Sequence, residues 1–244
     1  MNAKNLKIAV QRVVLIATLA VSLFFTACNS EKDPNPYGLD LITTTEEYLT
    51  SIEADSANFL IDLEDHIPGI LLDIRYAGTD NFTETKIYSA PKAYLRKEAA
   101  DSLLKLQEEL KKEGLGIKVF DAYRPYSATL YFYEVYPDTT FVAAPWKGSI
   151  HNRGCAIDLT IVNLVTGEEL AMPTPFDEFS ERASYDYIPE DSLILANRNK
   201  LLNVMERFGF EKYDYEWWHY NFSNRKGMEL LNISFEDLEK LKEE

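Results

Sequence analysis

Three histidines occur in the 244-residue chain, and two of them sit among residues able to bind a metal or move protons. The first lies in Ser149-Ile150-His151-Asn152-Arg153-Gly154-Cys155-Ala156-Ile157-Asp158, the second in Glu216-Trp217-Trp218-His219. Two imidazoles and one carboxylate suit a catalytic zinc, which keeps its fourth position for water. The metal brings that water's pKa toward neutrality, and a nearby carboxylate such as Glu216 accepts the proton as the water attacks. The spacing makes its own demand. His151 and Asp158 would fall on opposite faces of a regular strand, so the chain must turn between them, which Gly154 permits. Glu216 and His219 would share a helix face, but two tryptophans followed by Tyr220 and Phe222 favour a strand. Glu216 is therefore expected at a bend just before that strand, with His219 inside it.

The remaining reactive side chains read more simply. His66, in Glu64-Asp65-His66-Ile67-Pro68, has only an acidic loop around it and is expected to be structural or exposed. Cys155 lacks a separate base, since both nearby histidines would be spent on metal, and reads as a small buried packing residue. Trp217 and Trp218 read as pocket wall and core.

The elements that must hold these groups alternate irregularly. Ile70 to Tyr76 has short β-type alternation, and Asn81 to Thr85 reads as a loop. Pro91 opens a helical pattern predicted over Tyr94 to Lys112, with Leu103, Leu106 and Leu110 on one face and Gly114 as its stop. Ile117 to Asp121 reads as a strand running into the turn Ala122-Tyr123-Arg124-Pro125. Further strands are expected at Cys155 to Val162 and around Glu216 to Phe222, with a second long helix at Asp191 to Arg207 closed by Gly209. Helices mixed with short strands argue for an α+β domain with a central, mostly antiparallel sheet flanked by helices.

The N-terminus reads as an address. Lys4, Lys7 and Arg12 precede an almost wholly apolar run from Val13 to Phe25, followed by Thr26-Ala27-Cys28. About 13 apolar residues are too few to span a bilayer but suit a secretory signal. The pattern resembles a bacterial lipoprotein signal over residues 1–27, which implies lipidation of Cys28 and export to the outer side of a bacterial membrane. The alternative is an ordinary cleaved signal. Residues 28–50, with Asp33-Pro34-Asn35-Pro36 and three threonines, read as a flexible tether, leaving 51–244 as one catalytic domain. The formal charge is −15, and the first 27 residues contribute three bases and no acid, leaving −18 on the rest. Such a surface repels phosphate backbones and argues against nucleic acid as a partner. Once Cys28 is lipidated, Cys155 has no disulfide partner within the chain. The acidic run Glu236 to Glu244 reads as a solvated helix end.

The two metal segments resemble the zinc motifs of the D-alanyl-D-alanine dipeptidases, the family that includes the vancomycin-resistance dipeptidase. The resemblance extends in order through Asp73-Ile74-Arg75-Tyr76-Ala77, Asp80-Asn81-Phe82-Thr83, Asp121-Ala122-Tyr123-Arg124-Pro125 and Met172-Pro173-Thr174-Pro175-Phe176-Asp177. It implies one zinc ion per chain held by His151, Asp158 and His219, with Glu216 as general base and then proton donor to the leaving amine. It implies that Arg124 stabilises the oxyanion, and that Tyr76, Ser149 and Asp177 line the site of the substrate's amino end. Cys155 and Gly78 depart from the pattern without removing a catalytic group. The expected activity is hydrolysis of D-alanyl-D-alanine or a similar small D,D-dipeptide in peptidoglycan turnover or salvage. The alternatives are a D,D- or L,D-carboxypeptidase or endopeptidase acting on longer stem peptides, and a lipoprotein that binds wall peptide without cutting it.

Overall fold

A computed structural model describes residues 33–243. The signal segment and Cys28 lie outside the described residues. One compact unit begins at Tyr37. Its strands are β1 (Leu41–Ile42), β2 (Leu60–Asp62), β3 (Leu71–Leu72), β4 (Tyr94–Arg96), β5 (Leu115–Asp121), β6 (Ala156–Asn163), β7 (Phe210–Tyr213), β8 (Glu216–Phe222) and β9 (Leu230–Leu231). Its helices are α1 (Thr45–Ala54), α2 (Leu63–His66), α3 (Lys97–Lys111), α4 (Tyr126–Val135), α5 (Ser192–Arg207) and α6 (Phe235–Glu243). Among the described residues no helix is long and apolar enough to cross a membrane.

The fold is α+β. Five strands form the central sheet in the order β3-β5-β6-β8-β7, antiparallel except for the β3–β5 pair. β6 is buried along nearly its whole length, as expected of a strand in the middle of a sheet with both faces covered. α3 lays Leu103, Leu106 and Leu110 against the sheet, and α5 covers it with Leu201, Val204 and Met205. These are the spacings at which a helix presents one apolar stripe. Asp191 caps α5 by accepting from the backbone N–H of Leu193 at 2.8 Å.

Four expectations need correction. The long helical pattern does not begin at Tyr94, because Tyr94 to Arg96 are all buried and pair antiparallel with β2; the helix starts at Lys97. Helical spacing alone could not see that these three side chains are needed inside. The threonine run is not part of a tether. Thr44 is the N-cap of α1, in a reciprocal capping box with Glu47, and β1 just ahead of it pairs with β9, so the folded unit starts well before residue 51. Glu216 does not precede the aromatic strand but opens it, beyond a register shift at Lys212 and Tyr213. The acidic C-terminal segment is not merely solvated, since α6 buries Phe235 and Leu238 and sets Glu239 against Tyr94.

Candidate metal centre and active site

Register across the sheet assembles the acidic half of the site. Asp121 at the end of β5 lies opposite Asp158 on β6, and Asp158 lies opposite His219 on β8. His151 reaches the same place from a short 3₁₀ turn, His151–Arg153, ended by Gly154 with φ +66°. Gly154 is required twice over. An L-residue is strained at that φ, and a Cβ there would lie 2.5 Å from Leu60 Cδ2. Arg96, almost fully buried, clamps this turn: its Nε donates to Arg153 O at 2.8 Å, its Nη1 to Asn58 O and its Nη2 to Glu229 O at 3.3 Å. Ser149 caps the turn by accepting from the His151 N–H, while Asn152 ties the Ser149 backbone to Arg124 O and Thr129.

Three ligand atoms converge. His151 Nε2 is 3.2 Å from His219 Nδ1 and 3.5 Å from Asp158 Oδ1, and Asp158 Oδ1 is 2.9 Å from His219 Nδ1. A tetrahedral zinc with ligands about 2.1 Å away holds them roughly 3.4 Å from one another, so the set fits. The other ring nitrogens face acceptors: His151 Nδ1 is 2.6 Å from Ala122 O, and His219 Nε2 is 3.0 Å from Asn221 Oδ1. That arrangement leaves His151 Nε2 and His219 Nδ1 for metal. Among the described residues, His151, Asp158 and His219 form the group able to hold a metal ion.

The surrounding charge points the same way. Asp121, Asp158, Asp177 and Glu216 crowd together around one guanidinium, that of Arg124. Burial, then Asp158 and Asp177, push the Glu216 carboxyl well above its ordinary range. Burial, then Asp158, raise Asp177 to about 8. The two imidazoles overcome burial at Asp158 and hold it well below the usual carboxylate range. An excess of buried carboxylate over cation is what a bound dication offsets.

The cavity over this cluster is about 210 Å³ and brings together His151, Asp158, His219, Glu216, Arg124, Tyr76, Ser149 and Asp177, all the site residues expected from sequence within the described chain. Glu216 Oε2 lies 3.8 Å from His219 Nδ1. Arg124 donates from Nε and Nη2 to Asp121 Oδ2 at 3.0 and 2.8 Å and lies over the Phe132 ring at 4.7 Å. Bracing Asp121 and facing the cavity are thus one arrangement. Asp177 sits at φ +60°, a conformation that non-glycine residues seldom adopt and that concentrates at functional sites, with Tyr76 OH donating to it at 2.9 Å. Trp218 is cavity wall and Trp217 core, its indole N–H donating to Thr174. Cys155 is fully buried, and burial raises its thiol to about 11, which removes it as a nucleophile. His66 does not line the cavity and lies 3.0 Å from Asp101.

Sequence reasoning missed Asn221, and missed the cavity wall over Thr139 to Ala143, which Tyr213 holds through its OH donating to Thr140 O at 2.8 Å. The position of Asn221, two residues beyond His219 on the same strand face, was the available signal for the former. Nothing in the composition of Thr139 to Ala143 marks it.

A family profile described as D-ala-D-ala dipeptidase matches residues 56–239. The chain belongs to the D-ala-D-ala dipeptidase family. It is 34% identical over 177 residues to the D-alanyl-D-alanine dipeptidase of Escherichia coli (strain K12), covering 72% of this chain and 91% of that protein. Dipeptidases of Enterococcus faecium, 34% identical over 178 residues, and Streptomyces coelicolor, 32% over 181, each match 65% of this chain and 88% of their own length. The chain is accordingly a metallopeptidase, and the match spans both metal segments.

Proposed function

We propose that this protein hydrolyses D-alanyl-D-alanine, or a closely similar small D,D-dipeptide, using one zinc ion held by His151, Asp158 and His219. The observation that carries the reading is the convergence of those three ligand atoms beside a buried, general-base carboxylate, Glu216, in a chain of this family. A zinc bound there supplies the Lewis acidity that makes water nucleophilic near neutral pH.

The protein's own groups then have distinct tasks. Glu216 takes a proton from the attacking water and returns it to the amine as the C–N bond breaks, giving two molecules of D-alanine; its raised pKa suits a group that must both accept and donate. Arg124, fixed by Asp121, stabilises the negative charge that grows on the carbonyl oxygen, a contribution on the order of 3 kcal/mol for a preorganised donor. Asp177, steadied by Tyr76, pairs with the substrate ammonium, and Ser149, lining the same cavity, helps to hold the substrate's amino end. A longer peptide would bring a neutral amide to Asp177 and leave that carboxylate poorly paired, which disfavours it.

Comparing D-alanyl-D-alanine with a stem pentapeptide tests this reading. The free dipeptide should be cleaved with much the higher kcat/KM; preferential cleavage of the pentapeptide would move the assignment to a carboxypeptidase.

The setting is part of the proposal. The basic, apolar and Thr26-Ala27-Cys28 succession supports export and lipid attachment through Cys28, and the strong negative charge supports an absence of nucleic-acid partners. An exported dipeptidase meets dipeptide outside the cytoplasm, so salvage or turnover of wall fragments fits better than antibiotic resistance. Recovery of full-length, unlipidated chain from the cytoplasmic fraction would contradict this.

A further inference from the structure

Resting on the zinc reading above, we propose that Asn221 is a positioning residue for the metal, selecting the His219 tautomer that can bind it. Both nitrogens of the His219 ring face an acceptor. Nδ1 is 2.9 Å from Asp158 Oδ1, and Nε2 is 3.0 Å from Asn221 Oδ1.

A neutral imidazole carries one hydrogen, so two tautomers compete. With the hydrogen on Nδ1, His219 donates to Asp158 and turns an Nε2 lone pair toward the Asn221 oxygen, a contact relieved only if the amide rotates out of its present orientation to offer its NH2. With the hydrogen on Nε2, His219 donates to Asn221 and presents the Nδ1 lone pair to the point shared by His151 Nε2 and Asp158 Oδ1. Only the second form binds metal there. Asp158 alone would favour the wrong one.

Asn221 is well placed to reverse that preference. It lies two residues beyond His219 on β8, on the same face, and both line the cavity. Its backbone is fixed by pairing with Ala156 on one side and Glu211 on the other. The matching task for His151 is performed by the backbone carbonyl of Ala122, which cannot be changed by substitution. Asn221 is therefore a side chain through which the His219 tautomer can be altered without touching a ligand.

The test uses the soluble chain starting after Cys28, with zinc alone as the probe. Zinc affinity is measured by chelator competition in wild type, Asn221→Leu, which keeps size without an acceptor, and Asn221→Gln, which keeps the amide. In parallel, ¹⁵N NMR of the histidine rings reports which nitrogen of His219 carries the hydrogen. The expected result is a 10- to 100-fold loss of affinity in Asn221→Leu, partial recovery in Asn221→Gln, and an unchanged melting temperature of the metal-free protein. In the metal-free protein the His219 hydrogen should sit on Nε2 in wild type and shift to Nδ1 in Asn221→Leu. Equal affinity in wild type and Asn221→Leu, or an Nε2–H signal unaffected by the substitution, would overturn the inference while leaving the zinc site standing. A wild-type chain that takes up no zinc would overturn both.

Discussion

Glu216 and the metal ligands separate cleanly by what their loss should do. Removing Glu216 takes away the proton carrier and leaves the donor set intact, so Glu216→Ala should bind zinc as wild type does while kcat falls by about 10³, within the range for general acid–base groups. His219→Ala should lose the metal and activity together, as metal analysis and turnover would show side by side. Arg124→Lys keeps the charge but cannot hold Asp121 through two nitrogens and face the cavity at once, so kcat should drop by about 10² to 10³ with little change in KM. Asp177 sets a pH signature. Its carboxyl is raised to about 8 by burial and Asp158, and the anion is the form that pairs with substrate, so kcat/KM should climb with pH toward a midpoint at or below about 8, the metal drawing it lower. For stability the sign is opposite. The fold favours the neutral carboxyl, a contribution present below the ordinary value of 3.8 and lost as pH rises through about 8. Asp177→Asn should remove the contribution of Asp177 to the acid limb of the kcat/KM profile and leave the one set by ionisation of Glu216; an unchanged limb would assign it to Glu216 alone.

At the scale of elements, what was legible in the sequence and what was not have physical reasons. The metal segments were legible because their chemistry is local: a turn demanded by the His151–Asp158 spacing, a glycine to make it, and an aromatic strand to carry His219. The helix α5 was legible because its cap, stripe and terminating glycine all lie in one stretch of chain. By contrast, β4 borrows its strand character from β2 some thirty residues earlier, and β1 from β9 at the far end, so their pairing is invisible to any local window. The cavity wall from Thr139 to Ala143 escaped notice for the same reason, since it is defined by its attachments: Tyr213 OH on Thr140 O, and Phe141 stacked on Phe179 at 5.1 Å. Loss of one such hydrogen bond is worth about 1 kcal/mol. Tyr213→Phe should accordingly loosen the wall and raise the tripeptide-to-dipeptide ratio of kcat/KM roughly 5-fold; an unchanged ratio would show that the wall does not measure substrate length. Gly154→Ala should cost about 2–4 kcal/mol, from the left-handed φ and the clash with Leu60, and should lower zinc affinity because His151 moves with the turn. A thermal melt of the metal-free protein separates the two effects.

For the whole molecule, the interest lies in how an acidic protein of this size concentrates function at one place. The charge of −18 beyond residue 27 belongs largely to the surface, whereas the four carboxylates of the site are offset by Arg124 and, on this account, by a dication. A zwitterionic dipeptide carries no net charge and should not be steered by that surface, so kcat/KM should vary little between about 0.05 and 0.5 M salt. The most direct test of the central claim is release of D-alanine by the soluble chain after Cys28 from D-alanyl-D-alanine and from its L,L isomer, with and without chelator. The account predicts turnover of the D,D dipeptide only, abolished by chelator, restored by zinc and lost in Glu216→Ala. A zinc-loaded protein that leaves D-alanyl-D-alanine intact would contradict it.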